Sequence, residues 1–228
     1  MNSRTPSDTG SGRPAPRARR TQAERRQHTR QALLDAALLQ MEAGESFDAL
    51  SLRSVARAAG VVPTAFYRYF AGMDELGLVL IEDSFRALRG MLRHAREARM
   101  PPERIINRSV EILIGYVREN RQRFAFVARI RSTGNGVLRH AIRAEIRLFI
   151  SELATDLARF PILAEWATED LQMLAGLLVN TMIATIESLL ETPVQSAETE
   201  AEIARTAERQ MRLIILGVPH WQGSRARA

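Results

Sequence analysis

Side chains able to bind phosphates and base edges are concentrated in one stretch of the sequence, residues 51–70. Serine, threonine and tyrosine hydroxyls donate hydrogen bonds to phosphate oxygens, and an arginine can bind a phosphate or the edge of a guanine. Exposed tyrosines on a short helix are poor for solubility but good phosphate donors. We expect a nucleic-acid contact from six side chains, Ser51, Arg53, Thr64, Tyr67, Arg68 and Tyr69.

Two predicted short helices joined by a tight turn hold these side chains. Ser51 is a predicted N-cap of the first helix, and Gly60 ends it where positive φ is favoured. Pro63 opens the second helix, predicted to run through Phe70, because proline is tolerated in a first turn. The buried seam is predicted to be Val55, Ala56, Val61, Phe66 and Phe70. Such a pair can place its second helix in a DNA major groove, although a small hairpin with aromatic packing fits the same pattern.

The rest of the chain predicts longer amphipathic helices. A first helix is expected over 24–43, where apolar residues recur at helical spacing, and another with acids in its first turn over 74–97. Five more are expected at 103–119, 121–131, 136–159, 167–191 and 197–216. No alternating strand pattern occurs. The predicted fold is all-α, with about nine helices forming a helix-turn-helix domain and a larger helical domain.

The charge distribution suggests four parts. Net charge is +6, and residues 1–30 hold eight arginines against two acids. We expect a disordered basic arm (1–22), a helix-turn-helix DNA-binding domain (23–72), a larger helical domain (73–218) and a flexible tail (219–228). The arm would either contact DNA or remain a solvated leader.

No arrangement of residues in this sequence favours catalysis or a metal site. The four histidines are scattered, no hydroxyl lies in a nucleophile motif, and the turn at Gly134-Asn135-Gly136 lacks the lysine of a phosphate loop. Cysteine is absent, which excludes disulfides and suits a reducing compartment. The longest apolar stretch, 174–184, is too short to cross a bilayer. We therefore expect a cytoplasmic protein that is not an enzyme, does not insert in a membrane and needs no metal or cofactor.

Residues 25–80 resemble the TetR family of transcriptional repressors. An apolar first helix, the segment LSLRSVARAAGVVPTAFYRYF and the acidic start MDEL follow one another in the order and spacing of that family. The resemblance implies a homodimer that binds a palindromic operator in double-stranded DNA. By the same resemblance, residues 73–218 are expected to form a divergent C-terminal ligand-binding and dimerisation domain. It also implies that Arg53 reaches a base or phosphate and that Thr64 lies near base edges. Tyr67 and Tyr69 would then bind backbone phosphates.

Two longer segments are similar to the FabR- and DesT-type repressors of unsaturated fatty-acid synthesis and desaturation. They are SFDALSLRSVARAAGVVPTAFYRYFAGMDELGL and RFAFVARIRSTGNGVLRHAIRAEIRLFISELATDL. Regulators of that kind sense long-chain acyl thioesters, chiefly acyl-CoA. The resemblance implies that this chain controls lipid-synthesis genes through a hydrophobic effector. The alternative is a repressor of an efflux or catabolic operon that senses another hydrophobic small molecule.

The C-terminal helices are expected to form a cage around the effector. Apolar candidates for its lining, each equally suited to an ordinary core, are Phe124, Phe126, Val127, Phe149, Leu177 and Met182. Arg129 and Arg131 are candidates to bind coenzyme A phosphates, with solvated arginines as the alternative. Asn180 and Thr181 interrupt an apolar helix and would bind either the thioester or a partner across a dimer.

The last two long helices are expected to form the dimer interface as a four-helix bundle with those of a second subunit. Two sets of apolar residues at near-helical spacing are predicted to lie in it. They are Leu171, Leu174, Leu178, Met182 and Ile186, and Ile203, Met211, Leu213, Ile214 and Leu216.

Overall fold

The computed structural model describes residues 21–97, 101–133, 135–192 and 196–223. This part of the chain contains nine α-helices and no strand. The helices are α1 (Gln22–Glu42), α2 (Leu52–Ala58), α3 (Pro63–Phe66), α4 (Met73–Glu97), α5 (Pro102–Glu119), α6 (Arg121–Thr133), α7 (Gly136–Leu157), α8 (Thr168–Glu191) and α9 (Ala197–Gly217). Short 3-10 turns lie at Phe47–Ala49, Pro161–Leu163 and Val218–His220. The all-α expectation is confirmed.

The first helix begins two residues earlier than its apolar pattern indicates. The Thr21 hydroxyl accepts a hydrogen bond from the Glu24 amide at 3.2 Å, and the Glu24 carboxylate accepts from the Thr21 amide at 2.7 Å. This reciprocal capping box satisfies two amides that a helix start leaves unpaired. Residues 21 and 22 of the predicted arm therefore begin α1, whereas residues 1–20 lie outside the described part of the chain.

A single apolar core joins the helix-turn-helix segment to the rest of the molecule. The buried faces of α1, α2 and α4 share this cluster with Phe126 and Ile130 of α6 and with Leu138 and Ile142 of α7. A Cβ atom on Gly77 of α4 would lie 2.9 Å from a methyl group of Leu138. Glycine at this position therefore allows the close approach of α4 and α7. We call α1–α3 the reading head and α5–α9 the body.

A second apolar cluster fills the body and extends along the C-terminal half of α4. Its members come from α4 through α9 and include Leu92, Leu113, Leu153, Leu174 and Met211. The side chain of Arg121 fastens the end of α8, donating to the carbonyl oxygens of Leu189, Leu190 and Thr192 at 2.7, 2.6 and 2.7 Å. These are carbonyls that a helix C-terminus leaves without an intrahelical partner.

Most of the predicted dimer residues of α8 face the core of their own subunit. Leu171, Leu174 and Met182 are buried in the subunit's own core, as is Met211 of α9. The apolar side chains that project from these two helices are Met173 and Leu177 of α8, and Leu213 and Leu216 of α9, which belong to the predicted set. Helical spacing had identified an apolar stripe correctly, but the stripe belongs to the core of this subunit, and a second, sparser stripe faces outward.

Among the described helices, α8 alone is long and apolar enough to cross a membrane by length and composition. Its residues Leu171, Leu174, Val179 and Leu189 are nonetheless buried against neighbouring helices. The apolar character of α8 is thus explained by its place in the core and by its outward stripe.

Candidate DNA-binding surface and effector cavities

The turn between α2 and α3 has the geometry expected for a helix-turn-helix. Gly60 has φ +71°, and its amide donates to the Arg57 carbonyl at 3.0 Å while the Val61 amide donates to the Ala56 carbonyl at 2.9 Å. These two bonds form a Schellman motif, which ends a helix on a left-handed residue. The predicted role of Gly60 is confirmed.

Ser51 caps α2 as predicted. Its hydroxyl oxygen accepts from the Ser54 amide at 3.0 Å, and the Ser54 hydroxyl oxygen accepts from the Ser51 amide at 3.3 Å. The capping bond uses the Ser51 oxygen as an acceptor, so its O–H remains available as a donor to a phosphate. Ser51 is exposed, consistent with that use.

Two phenylalanine rings hold α3 on the reading head. Phe66 and Phe70 are 0% and 1% exposed, and their ring centroids are 5.5 Å apart. The Arg30 guanidinium of α1 lies 5.5 Å from the Phe70 ring centroid, a cation–π distance. Val55 and Ala56 are also fully buried, and Val61 is half-buried against the same core. The predicted seam is therefore present.

Helix α3 is shorter than predicted, because it ends at Phe66 rather than Phe70. The amides of Arg68 and Tyr69 bond to carbonyls three residues back, at 3.1 and 2.9 Å, so the chain tightens into a turn. This turn places Tyr69 half-buried against the core of the reading head. Tyr69, predicted to face outward with Tyr67, is therefore the less exposed of the two.

Five of the six predicted contact residues are exposed, Ser51 among them. The other four are Arg53, Thr64, Tyr67 and Arg68, and Tyr67 has 65% of its surface accessible. Within the described residues, none of these four side chains makes a hydrogen bond or an ion pair. Their donors are therefore available to phosphates and base edges.

Val62 is a further candidate that the sequence reasoning missed. It is 65% exposed and extended (φ −69°, ψ 142°) at the N-cap of α3. A proline after it favours this extended backbone, which is the signal that could have identified it. An apolar side chain beside the start of a recognition helix can contact the methyl group of thymine.

Two apolar cavities lie within the described part of the body. The proximal cavity, nearer the reading head, has a volume of about 50 Å³ and lies among α4, α6, α7 and α8. The distal cavity has a volume of about 130 Å³ and lies among α4, α5, α7, α8 and α9. Ser109 is the one polar residue lining the distal cavity, and Arg131 and Glu187 are the charged residues lining the proximal one.

The structure brings four of the predicted effector residues together around the proximal cavity, namely Phe124, Val127, Arg131 and Phe149. Tyr116 supports this wall, with its ring edge-on to Phe124 at 5.7 Å between centroids. Burial raises the pKa of the Tyr116 phenol, partly offset by the nearby Arg123 guanidinium. The wall is therefore largely apolar, as a hydrophobic ligand requires.

Met182 lines the distal cavity, whereas four other predicted effector residues lie outside both cavities. Phe126 belongs to the core of the reading head, with its ring 5.3 Å from that of Phe47. Leu177 and Asn180 are exposed on α8, and the half-buried Thr181 donates its hydroxyl to the Leu177 carbonyl at 3.0 Å. None of these four residues lines either apolar cavity.

Arg129 and Arg131 do not converge on one site, contrary to expectation. Arg129 donates to the backbone carbonyl of Glu45 at 3.4 Å, on the side of the reading head. Arg131 forms an ion pair with Glu187 of α8, and both side chains are almost half exposed. Arg131 is therefore the one of the two arginines that lies at the proximal cavity.

Polar contacts connect the cavity walls to each other and to the reading head. The Asn135 side-chain amide, at the start of α7, donates to Asp74 of α4 at 3.1 Å and to Asp48 at 3.4 Å. Arg89 of α4, only 11% exposed in its side chain, bridges two glutamates of α7, Glu145 and Glu152. Because of these contacts, a displacement of α4 or α7 at the cavities would also move the reading head.

Comparison with known proteins covers both parts of the chain. Residues 33–78 match the family described as bacterial regulatory proteins, tetR family. Residues 102–217 match the family described as Tetracyclin repressor-like, C-terminal domain.

Solved structures share this arrangement of helices. The fatty acid degradation regulator FadR from Bacillus halodurans is 16% identical, with a TM-score of 0.63 over 83% of this chain and 95% of that one. SmeT in complex with triclosan is 17% identical, with a TM-score of 0.64 over 83% and 90%. A transcriptional regulator from Pseudomonas aeruginosa PAO1 is 14% identical, with a TM-score of 0.69 over 89% and 97%. At these identities the likeness shows a common fold.

Proposed function

Since this chain belongs to the TetR family of bacterial regulatory proteins, we propose that it is a repressor whose operator affinity changes when a long-chain acyl-CoA binds. Regulators of this family are DNA-binding proteins rather than enzymes; they dimerise and bind small-molecule ligands. What the proposal adds is the chemistry of the effector, its site and the genes of lipid synthesis as its target.

The observation that carries the proposal is the composition of the two cavities. Their walls are aliphatic and aromatic apart from three side chains, Ser109, Arg131 and Glu187. Transfer of an acyl chain into such a space gains about 0.8 kcal/mol per methylene. An anionic head group would remain near the half-exposed Arg131, where a guanidinium can bind phosphate without full desolvation. The FadR neighbour, named for fatty acid degradation, agrees with this effector class.

The mechanism needs the cavity walls and the reading head to move together. The two recognition helices of a dimer must sit roughly 34–36 Å apart to enter successive major grooves. A ligand that parts α4 and α7 would displace Asp74 and Asn135, and thereby the start of α4 beside the reading head. Coupling then requires that the ligand bind one spacing of the heads more tightly than the other.

A titration of operator DNA tests the proposal. Fluorescence anisotropy on the gene's own upstream DNA would be measured with octanoyl-, palmitoyl- and oleoyl-CoA and with free palmitate. We expect long acyl-CoA to bind near micromolar concentrations and to shift operator affinity, with the free acid weaker than its thioester. If long acyl-CoA neither binds nor shifts operator affinity, lipid sensing is wrong and only the family assignment remains.

The two arginines of α6 offer a matched pair of variants. Arg131→Ala should weaken acyl-CoA binding by about 1–1.5 kcal/mol, roughly five- to tenfold, because a partly exposed charged contact is lost. Arg129→Ala removes an equally charged residue that faces the reading head and should leave acyl-CoA affinity unchanged. Both ligand-free variants should be tested on the operator, where Arg131→Ala should bind like the wild type. If the two variants weakened acyl-CoA binding equally, Arg131 would not be part of the effector site.

A second effector class is favoured by the distal cavity. Its volume of about 130 Å³ is close to that of an engineered apolar cavity of roughly 150 Å³ that binds benzene. A compact aromatic molecule would therefore fit, and the SmeT neighbour is bound to triclosan. The same titration with a chlorinated phenol distinguishes a repressor of an efflux or catabolic operon from a lipid sensor.

A further inference from the structure

The two cavities lie in line along the same three helices. On α4, Leu88 lines the proximal cavity and Leu92, one turn later, lines the distal one. On α7, Phe149 and Leu153 repeat this relation one turn apart. On α8 the two linings interleave, with Val179 and Ile183 on the proximal side and Leu178 and Met182 on the distal side.

Side chains of one apolar cluster separate the cavities. Leu92, Phe149 and Met182, at the boundary, are 1%, 4% and 6% exposed and belong to the same core cluster. Met182 has an unbranched, flexible side chain that adapts to irregular spaces. The charged lining residues, Arg131 and Glu187, occur only in the proximal cavity. A ligand that passed from one cavity to the other would therefore meet apolar groups throughout.

Along α7, the two cavities together are long enough for one long aliphatic chain. The lining of the two cavities is longest on α7, where it runs from Ile142 to Leu157. At 1.5 Å per residue this spans about 22 Å, compared with about 11 Å on α4 and about 14 Å on α8. A fully extended polypeptide covers roughly 3.6 Å per three bonds, so an extended aliphatic chain covers about 1.2 Å per bond. An extended aliphatic chain of about eighteen bonds is therefore as long as the lining on α7.

Resting on the proposed function, we infer that the two cavities are the two ends of one tunnel that measures the length of a straight acyl chain. The head group lies at Arg131, the chain passes Phe149 and Met182, and its tail fills the distal cavity. At about 50 Å³ and 130 Å³ the cavities hold only parts of such a chain, so the boundary side chains rotate to admit it. A chain too short to pass Phe149 leaves the distal cavity empty.

A chain-length series on the unmodified protein tests the tunnel. Isothermal titration would use straight saturated acyl-CoAs from octanoyl to eicosanoyl. Each added methylene that enters apolar space tightens binding about fourfold at most. We expect affinity to rise through palmitoyl and to stop rising near stearoyl. A plateau reached already at decanoyl would show that only the proximal cavity is used and would overturn the inference.

Two small-to-large variants, one in each cavity, provide a matched pair. Ser109→Leu fills the distal cavity and should weaken palmitoyl-CoA at least tenfold while leaving octanoyl-CoA unchanged. Ala128→Leu fills the proximal cavity and should weaken both ligands, since every chain passes it. If Ser109→Leu weakens both ligands equally, or neither, the tunnel is wrong. Thermal unfolding of each variant without ligand checks folding, and the series on the unmodified protein stands if either fails to fold.

The outcomes separate this inference from the function on which it rests. Absence of binding by any acyl-CoA to the unmodified protein refutes the proposed function, and the tunnel with it. Binding of acyl-CoA with no dependence on chain length beyond decanoyl leaves the lipid sensor intact and refutes the tunnel alone.

Discussion

At the scale of single residues, position on the reading head determines what a side chain can contribute to DNA binding. Tyr67 projects freely from the end of α3, whereas Tyr69, two residues later, is half-buried. Arg53 is exposed on α2, the helix before the turn. We therefore expect Tyr67 and Arg53 to contribute more to DNA binding than Tyr69. Tyr67 should affect the affinity for any DNA, and Arg53 the specificity for the operator.

Alanine variants should reveal this separation. Tyr67→Ala should weaken cognate and unrelated DNA similarly, because it removes a phosphate contact. Arg53→Ala should cost about 1–3 kcal/mol, mostly on the cognate operator, if its guanidinium contacts a base bidentately. Anisotropy on both kinds of DNA over a range of salt would measure the two effects. A uniform loss for Arg53→Ala would reassign it to a phosphate.

At the scale of elements, the contact between α4 and α7 is the connection between the cavities and the reading head. Gly77 permits that contact, since a Cβ there would lie 2.9 Å from both Leu138 and Phe47, which are buried. Gly90, on the same helix, has no heavy atom within 4 Å of the corresponding position. Substitution of Gly77 therefore tests packing, and substitution of Gly90 tests helix propensity alone.

Substituting each glycine by alanine should give opposite results. Gly77→Ala should destabilise the fold by about 1–3 kcal/mol through overpacking. Gly90→Ala should stabilise it by about 0.5–1 kcal/mol, because alanine is the better helix former. Urea unfolding followed by circular dichroism would measure both. If Gly77→Ala were also stabilising, Leu138 and Phe47 would have room to move, and the rigid contact between α4 and α7 would be refuted.

At the scale of the whole molecule, the outward stripe of α8 and α9 is where we expect the second subunit to pack. Leu213 and Leu216 are 72% and 69% exposed, and Leu177 of α8 is 48% exposed. Regulators of this family dimerise, and burial of these leucines would remove an exposed apolar surface from water. The expected interface thus keeps Leu213 and Leu216 of the set predicted from apolar spacing, whereas on α8 it uses Leu177 in place of the buried Leu171, Leu174 and Met182.

Charged substitutions on this stripe should abolish the dimer. Leu213→Glu combined with Leu216→Glu should give a monomer by sedimentation. The variant should also lose affinity for the palindromic operator, because a monomer binds only one half-site. Leu148→Glu, at a 44% exposed leucine of α7, is the control and should remain dimeric. A dimer that survived the double substitution would place the interface elsewhere.

Features that depend on neighbours along the chain could be predicted from the amino-acid sequence. The Ser51 cap, the turn at Gly60 and the helix opened by Pro63 are all present as predicted, because their signals act over three or four residues. The order of the long helices and the family followed from the same local patterns. These features do not require knowledge of what packs against what.

The direction in which each helix faces could not be predicted in this way, because it depends on tertiary packing. Successive residues of an α-helix are about 100° apart, so Arg129 and Arg131 point in nearly opposite directions, one to the reading head and one to the cavity. Helical spacing likewise cannot tell the inward Leu174 from the outward Leu177, since both belong to regular apolar stripes. Facing is set by contacts between residues far apart in the chain, and the voids in the core are what those contacts leave unfilled.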